Sequence, residues 1–420
     1  MTSSARAAPS KSRARGALEA MMKEKIERSL RSVEKWVEDR GYKGYDPGDG
    51  LTSYLRPLAF GNLLAERVLQ QAIWKSPINF RPVLGVVPLD STKGRGFMAW
   101  GYTLLFRSTR KDEYSAKARA CLKWLDNARE PDQVGHCWGN HFDFSTRSGC
   151  MKARTPTIVW SGLIGQAFLE AYEQWHEQEF LAIADSICTW ILTLPRERTS
   201  SGTCLSYTAV FQNSVHNSNL LGAAMLARVG GYIRNDEYLR VARDAVNYSC
   251  SRQLSNGAWW YGEDPKYHWI DNFHTAYNLD SIRRYIESSG DDSFLPQLER
   301  GYEYFKNTFF EQSGRPRYYH DRTYPVDIQC AAQAIDTFCF FSDRDRSALE
   351  MAMKVADWTI SNLQDSTGYF YYREYLMLKA RTPYFHWGQA TMFKALSHLL
   401  SKLAAQPAPR DQFASTPFPT

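Results

Sequence analysis

Six times along the chain, a short polar or proline-containing entry leads into a run rich in Ala, Gly, Leu and aromatic residues. The runs are GFMAWGYTLLF (96–106), TIVWSGLIGQAFLEAYE (157–173), HNSNLLGAAMLARVGGY (216–232), DNFHTAYNLDSIRRYIE (271–287), DIQCAAQAIDTFCFF (327–341) and HWGQATMFKALSHLL (386–400). Their spacing, about 55–60 residues, is that of stacked helical units. Between them, apolar positions recur at helical spacing with charged residues opposite, over 113–127, 178–194, 236–253, 294–310 and 345–363, and ahead of them all over 17–39. Small residues let a helix pack closely on both sides, whereas an amphipathic helix needs one dry face only. The pattern predicts an all-α (α/α)6 toroid over 17–405, with the small-residue helices as an inner ring and the amphipathic ones as an outer ring. The open alternative is a helical solenoid. Strands are expected only as short hairpins in the glycine–aromatic loops GHCWGNHFDF, SGTCLSY, NGAWWYG, SGRPRYYH and STGYFYY, whose glycines read as left-handed helix caps. Residues 1–16 read as a disordered basic leader and 406–420 as a disordered proline-rich tail.

Aligned, the repeats place Thr157, His216, Asp271, Asp327 and His386 at one position. Trp160, Asn219, His274, Cys330 and Gln389 follow three residues later. Residues three apart share a helix face. In a closed ring these positions are expected to converge on a central cavity, where helix N-termini also offer unpaired N–H groups. Asp and Thr are ordinary caps at such positions, but capping does not call for histidine. The stretch YHWIDNFHTAYNLD (267–280) crowds His268, Asn272 and His274 around Asp271.

Two carboxylates facing each other across a sugar ring suit glycosyl-bond chemistry. Asp271 and Asp143 are the expected acid/base pair, with His274 and His216 as orienters or auxiliary proton carriers. Trp138, Trp260 and Tyr261 are expected to stack on pyranose faces. Asn140, His141, Asn217, His268, Asn272, Tyr319, Asp327, His386 and Trp387 complete the expected contacts with substrate. Hydrolysis, elimination and epimerisation all remain open, and the last two would use a His or Tyr base, because the proton removed sits on carbon.

Composition narrows the alternatives. Aromatics make up 14% of the chain, with 13 Trp and 24 Tyr, which favours a ring-binding cleft. The net charge of +6 includes Arg6, Lys11, Arg13 and Arg15 of the leader. The remainder is nearly neutral, so no nucleic-acid partner is expected. The leader lacks the apolar core of a secretory signal, and peripheral contact with an anionic membrane or polymer is a role open to it. Eight scattered cysteines without a CxxC pair read as reduced and cytoplasmic. No HExxH, GxGxxG, GxxxxGK[ST], GxSxG or DxDD motif occurs, and neither metal nor cofactor is expected.

VHNSNLLGAAMLARV, GAWWYG, WIDNFHTAYNLDSI, TPYFHWGQATMFKAL, YKGYDPGDGL and CWGNHFDF together resemble a bacterial family encoded in exopolysaccharide and capsule biosynthesis clusters, over roughly residues 33–400. More distantly the chain is similar to six-hairpin glycosidases, unsaturated glucuronyl hydrolases and N-acylglucosamine 2-epimerases. The resemblance implies an (α/α)6 fold and a carbohydrate-active role in polysaccharide biosynthesis or modification, with a non-catalytic glycan-binding or scaffold protein as the alternative. In those groups an Arg often precedes the Trp of the last inner helix. Here His386 stands in that place, so an Arg-based carboxylate contact does not carry over.

Overall fold

The computed structural model describes residues 11–146 and 149–405; most of the expected leader and the whole expected tail, 406–420, lie outside them. Twelve of its thirteen α-helices form two rings. The inner ring is α3 (Thr92–Thr109), α5 (Ile158–Trp175), α7 (His216–Ile233), α9 (Asn272–Ser289), α11 (Ile328–Phe341) and α13 (Ala390–Ala405). The outer ring is α1 (Lys11–Glu38), α4 (Asp112–Asn127), α6 (Gln178–Leu192), α8 (Asp236–Cys250), α10 (Leu295–Thr308) and α12 (Ala348–Leu363). Each inner helix packs on the next, and α13 packs back on α3, so the ring is closed. The first helix in sequence completes the last hairpin, because α1 lies against α12 and α13. The remaining helix, α2 (Leu63–Lys75), sits in the long link from α1 to α3 and was not foreseen.

The division between rings follows from side-chain size. Every residue of α7 from His216 to Gly230 is buried, which only a helix with neighbours on all sides can be. A Cβ on Gly101 would stand 2.6 Å from the Phe393 ring, and one on Gly165 would stand 2.4 Å from the Met225 methyl. Glycine there sets the α3–α13 and α5–α7 spacings. By contrast α8 buries Tyr238, Val241, Ala242, Ala245 and Val246 at helical intervals and turns its charges to water.

The loop glycines differ from expectation. Gly135, Gly202, Gly257, Gly314 and Gly368 do have positive φ, from 86° to 113°, but none caps a helix. Each lies several residues past an outer helix and presses on the backbone of the next one. A Cβ would meet Ser186 O of α6 at 2.2 Å, Asp244 O of α8 at 2.2 Å and Arg300 O of α10 at 2.4 Å. For Gly314 it would meet Lys354 of α12 at 2.4 Å. For Gly368 the target is Ser32 O of α1 at 2.5 Å, so the five contacts run from α4 round to α1, and ion pairs of Lys117 with Glu34 and Glu38 join α4 to α1.

The strands are short and antiparallel, as expected: Lys43–Gly44 with Leu89–Asp90, Phe144–Thr146 with Gly149–Met151, and Arg196–Thr199 with Gly202–Leu205. Val326–Asp327, Arg373–Glu374 and Lys379–Ala380 form a three-stranded sheet. All these lie in outer-to-inner links, at the end where the inner helices begin. That end is the mouth.

We expect Gly257→Ala to cost about 2–4 kcal/mol, since it combines an unfavourable φ with a backbone clash. Gly290→Ala, at φ 71° with nothing within 4 Å, should cost only about 1 kcal/mol. Urea unfolding of the two variants measures the difference, and equal losses would remove the packing role of the loop glycine.

Candidate functional site

Asp271 caps α9, its Oδ1 accepting the His274 N–H at 3.0 Å. Its Oδ2 takes the Trp269 indole N–H at 3.0 Å and lies 2.7 Å from His274 Nδ1. The carboxylate is fully buried and committed, while the His274 side chain keeps 20% of its surface exposed. Asp271 therefore fixes the ring, and His274 presents Nε2 outward. Tyr261 stacks on Trp269 at 4.5 Å and stands 4.6 Å from the His274 ring. On the other side Phe273 touches Trp387, with ring centroids 5.4 Å apart.

A second cluster adjoins the first through His386 and Trp387. Both lie in a π-helical turn, Phe385–Gln389, that precedes α13; such turns often mark functional positions. Buried Asp46 accepts the His386 backbone N–H at 2.9 Å, and His386 Nδ1 lies 2.7 Å from the same oxygen. His141 Nε2 stands 4.0 Å from the other oxygen. Lys93, in the first turn of α3, is only 7% exposed. Its ammonium sits 4.1 Å above the Trp160 ring and makes no hydrogen bond or ion pair among the described residues. A cation at a helix N-terminus also opposes the helix dipole. Burial pushes Lys93 down from 10.5 to about 7, against the pull of Asp46. Such a group is costly for stability and suited to proton transfer.

Sequence reasoning missed Asp46 and Lys93. Asp46 lies in an aperiodic loop, YDPGDG. Lys93 did carry a signal: a lysine opening a small-residue helix, STKGRGF, is out of place on dipole grounds.

Several expected site residues do other work. His216 is the first helical residue of α7, not its cap, whereas Asp271 caps α9. One residue turns a helix by about 100°, and His216 faces the outer ring. Its Nδ1 meets Ser249 of α8 at 3.1 Å and its Nε2 meets Glu263 at 2.8 Å, leaving 1% of the side chain exposed. Asp143 is bound by Arg56 at 2.7 Å, Ala153 N–H at 2.8 Å and Lys152 at 3.3 Å. Burial opposes its ionisation, but these donors outweigh burial and hold the carboxyl below its usual range, which is wrong for a general acid. Trp138 is a core residue, fully buried, its indole N–H given to Leu125 O at 2.9 Å. Asp327 is also buried and spent, on Gln329 N–H, the Trp387 indole and an ion pair with Arg373.

The others lie at or beneath the mouth. Trp260 stacks on exposed His268 at 5.0 Å. Tyr319 bridges the Asp271 backbone. Asn140 accepts the His141 N–H. Asn217 Oδ1 and both amide atoms of Asn272 are buried without a protein partner, as groups awaiting a ligand or water would be.

A cavity of about 340 Å³ lies elsewhere, at the C-terminal ends of the inner helices between Arg107, Glu170, Arg228, Arg284 and Lys402. Glu170 pairs with Arg107 at 3.2 Å and with Arg228 at 3.5 Å. Six carbonyl ends converge there, and cations offset them. The charge is accounted for by the helices.

Several solved structures share this fold. A cellobiose 2-epimerase from Bacillus thermoamylovorans is 11% identical, covering 75% of this chain and 90% of its own, with a TM-score of 0.58. A GH76 α-mannanase from Bacteroides thetaiotaomicron is 13% identical, covering 74% and 85%, with a TM-score of 0.58. An unsaturated glucuronyl hydrolase specific for heparin is 10% identical, covering 91% and 97%, with a TM-score of 0.59. The likeness is one of fold, and the chain is an (α/α)6 toroid. No protein-family model matches it, and no curated protein matches it by sequence.

Burial drives His386 down from 6.5 to about 4, against the pull of Asp46. The unfolded chain protonates this histidine below about 6.5 while the folded chain keeps it neutral, so its contribution is present above that pH and lost as pH falls toward 4. We expect a loss of about 3 kcal/mol across that window, seen as a falling urea midpoint, and His386→Gln should flatten that part of the slope. Lys93→Met should raise stability at pH 7 by about 2 kcal/mol, by removing a buried unpaired cation. A thermal melt that fell instead would mean that Lys93 is held by a partner.

Proposed function

We propose that the chain is a carbohydrate-active enzyme whose mouth moves protons on a sugar, in the manner of an epimerase or isomerase. The observation that carries this reading is the Asp271–His274 unit: a buried carboxylate wholly used to fix a histidine that is itself accessible. The opposing carboxylate that glycoside hydrolysis needs is lacking in the expected place, because Asp143 is held by Arg56, Lys152 and a backbone N–H. Histidine and lysine fit removal of a carbon-bound proton beside a carbonyl better than they fit cleavage of an acetal.

In this reading His274 takes the proton from carbon, and the electron pair passes to the carbonyl oxygen. Lys93, or His141, which stands 4.0 Å from Asp46, supplies a proton to the opposite face, and the electron pair returns from oxygen to carbon, so the sugar leaves with its composition unchanged and one centre inverted. Tyr261 and Trp269 offer a stacked aromatic face beside the reacting atoms. Asn217 and Asn272 offer amides to hydroxyls. The carbohydrate-active names of the fold neighbours support the substrate class. The resemblance of the WIDNFHT and HWGQA segments supports a place in polysaccharide assembly, and the eight free cysteines support a cytoplasmic one.

Incubation with reducing mono- and disaccharides in D2O, followed by proton NMR, tests the reaction. We expect deuterium to enter at the carbon next to the carbonyl, and His274→Gln to slow entry by about 10²–10⁴-fold. Release of new reducing ends without exchange would replace the reading with hydrolysis. Ligand-induced thermal stabilisation with neither reaction would make the protein a glycan-binding one.

A further inference from the structure

Thirteen of the eighteen large hydrophobic side chains that stand exposed among the described residues fall on two stretches, 54–87 and 376–378. Both lie in outer-to-inner links, and so at the mouth. They share a base: Trp74 and Tyr375 pack on the small cluster of Tyr372, Ala380 and Tyr384. Phe60 stands 91% exposed at a left-handed corner ahead of α2, and Met377 stands 93% exposed at the tip of the hairpin between Glu374 and Lys379.

Helix α2 is inverted. Its buried face carries Glu66 and Gln70, which bond Arg56 and Ser145, with Ile73 beside them. Its exposed face carries Leu63, Leu64 and Val68. A helix facing water has the opposite polarity. Between Asp49 and Asp90 the one acid is Glu66, which is buried. Lys75 is exposed with no acid partner among the described residues, and Arg381 beside the hairpin stacks on Tyr371. An apolar surface edged with cations and free of exposed acid is complementary to anionic headgroups over hydrocarbon. The hydrophobic groups stand on a loop corner, a helix face and a hairpin tip, an arrangement that suits a deformable bilayer better than a rigid protein partner. No helix of the described residues is long and apolar enough to cross a membrane.

We propose that the mouth end docks on an anionic bilayer surface, inserting Phe60, the outer face of α2 and the 376–378 tip. The site would then open toward glycan displayed at that surface. The docking itself stands whether or not the proton-transfer reading holds.

Co-sedimentation of the full chain with vesicles tests this. Wild type should partition to phosphatidylcholine–phosphatidylglycerol vesicles more strongly than to phosphatidylcholine alone. Phe60→Ser combined with Leu64→Ser and Met377→Ser should weaken partition at least about tenfold, since burying one such side chain alone shifts an equilibrium by about that factor. Lys75→Glu should weaken binding to the anionic vesicles only. These positions are exposed, and an unchanged circular dichroism spectrum checks the fold. Absence of binding by wild type overturns the proposal. So does undiminished binding by the triple variant, which would place the contact on the basic N-terminal residues. A wild-type dimer that the same substitutions dissociate would make a second copy the occupant instead.

Discussion

The ring rests on one repeated contact, made five times among the six outer helices: a glycine of positive φ in the loop after an outer helix, pressed against the backbone of the following outer helix. Helix packing alone allows a range of crossing angles, and small errors in six successive hairpins would accumulate into an open spiral. A backbone-to-backbone contact with no side chain between leaves little freedom. Gly135, Gly202, Gly257 and Gly314 each fix one hairpin on the next, and Gly368 applies the same rule to Ser32 of α1, the first helix in the chain. Tryptophans next to two of these glycines complete the lock. Trp138 and Trp259 donate their indole N–H groups to carbonyls of the preceding outer helix, at Leu125 and Ser249. Those two loops thus touch the helix behind and the helix ahead.

This explains which features could be read in advance. Alternation of small-residue and amphipathic helices is written in local composition, so both rings were legible. The five loop glycines were visible too, but four have partners some forty to fifty residues onward and Gly368 has Ser32 near the other end of the chain, so a left-handed cap was the nearer explanation. Helix α2 was missed for a related reason. Its apolar residues face water and its polar ones face protein, so the usual meaning of the pattern is reversed.

The site was legible by residue type and less so by direction. His274, His141 and His386 do stand at the mouth, each against a buried aspartate. His216 does not, because its helix starts one residue earlier than the alignment assumed, and a single step turns a side chain from cavity to outer ring. Asp143 and Asp271 were read as the acid/base pair and Asp327 as a contact to substrate. The structure gives each of them several donors, and donors contributed by distant loops leave no trace in sequence spacing.

The two ends of the toroid differ in how their charge is explained. At the C-terminal end, Arg107, Arg228 and Arg284 gather where six helices present carbonyls, and acids such as Glu170 pair with them. The helix dipoles and the ion pairs offset those charges. At the mouth the balance runs the other way. Lys93 opposes its own helix dipole and lacks a hydrogen bond, and the amide of Asn272 is buried without a protein partner. Folding gains nothing from such groups, and a toroid selected for stability alone would replace them. At the mouth that cost is gathered around a histidine held rigid by a buried acid, and this is the physical reason to look for chemistry there.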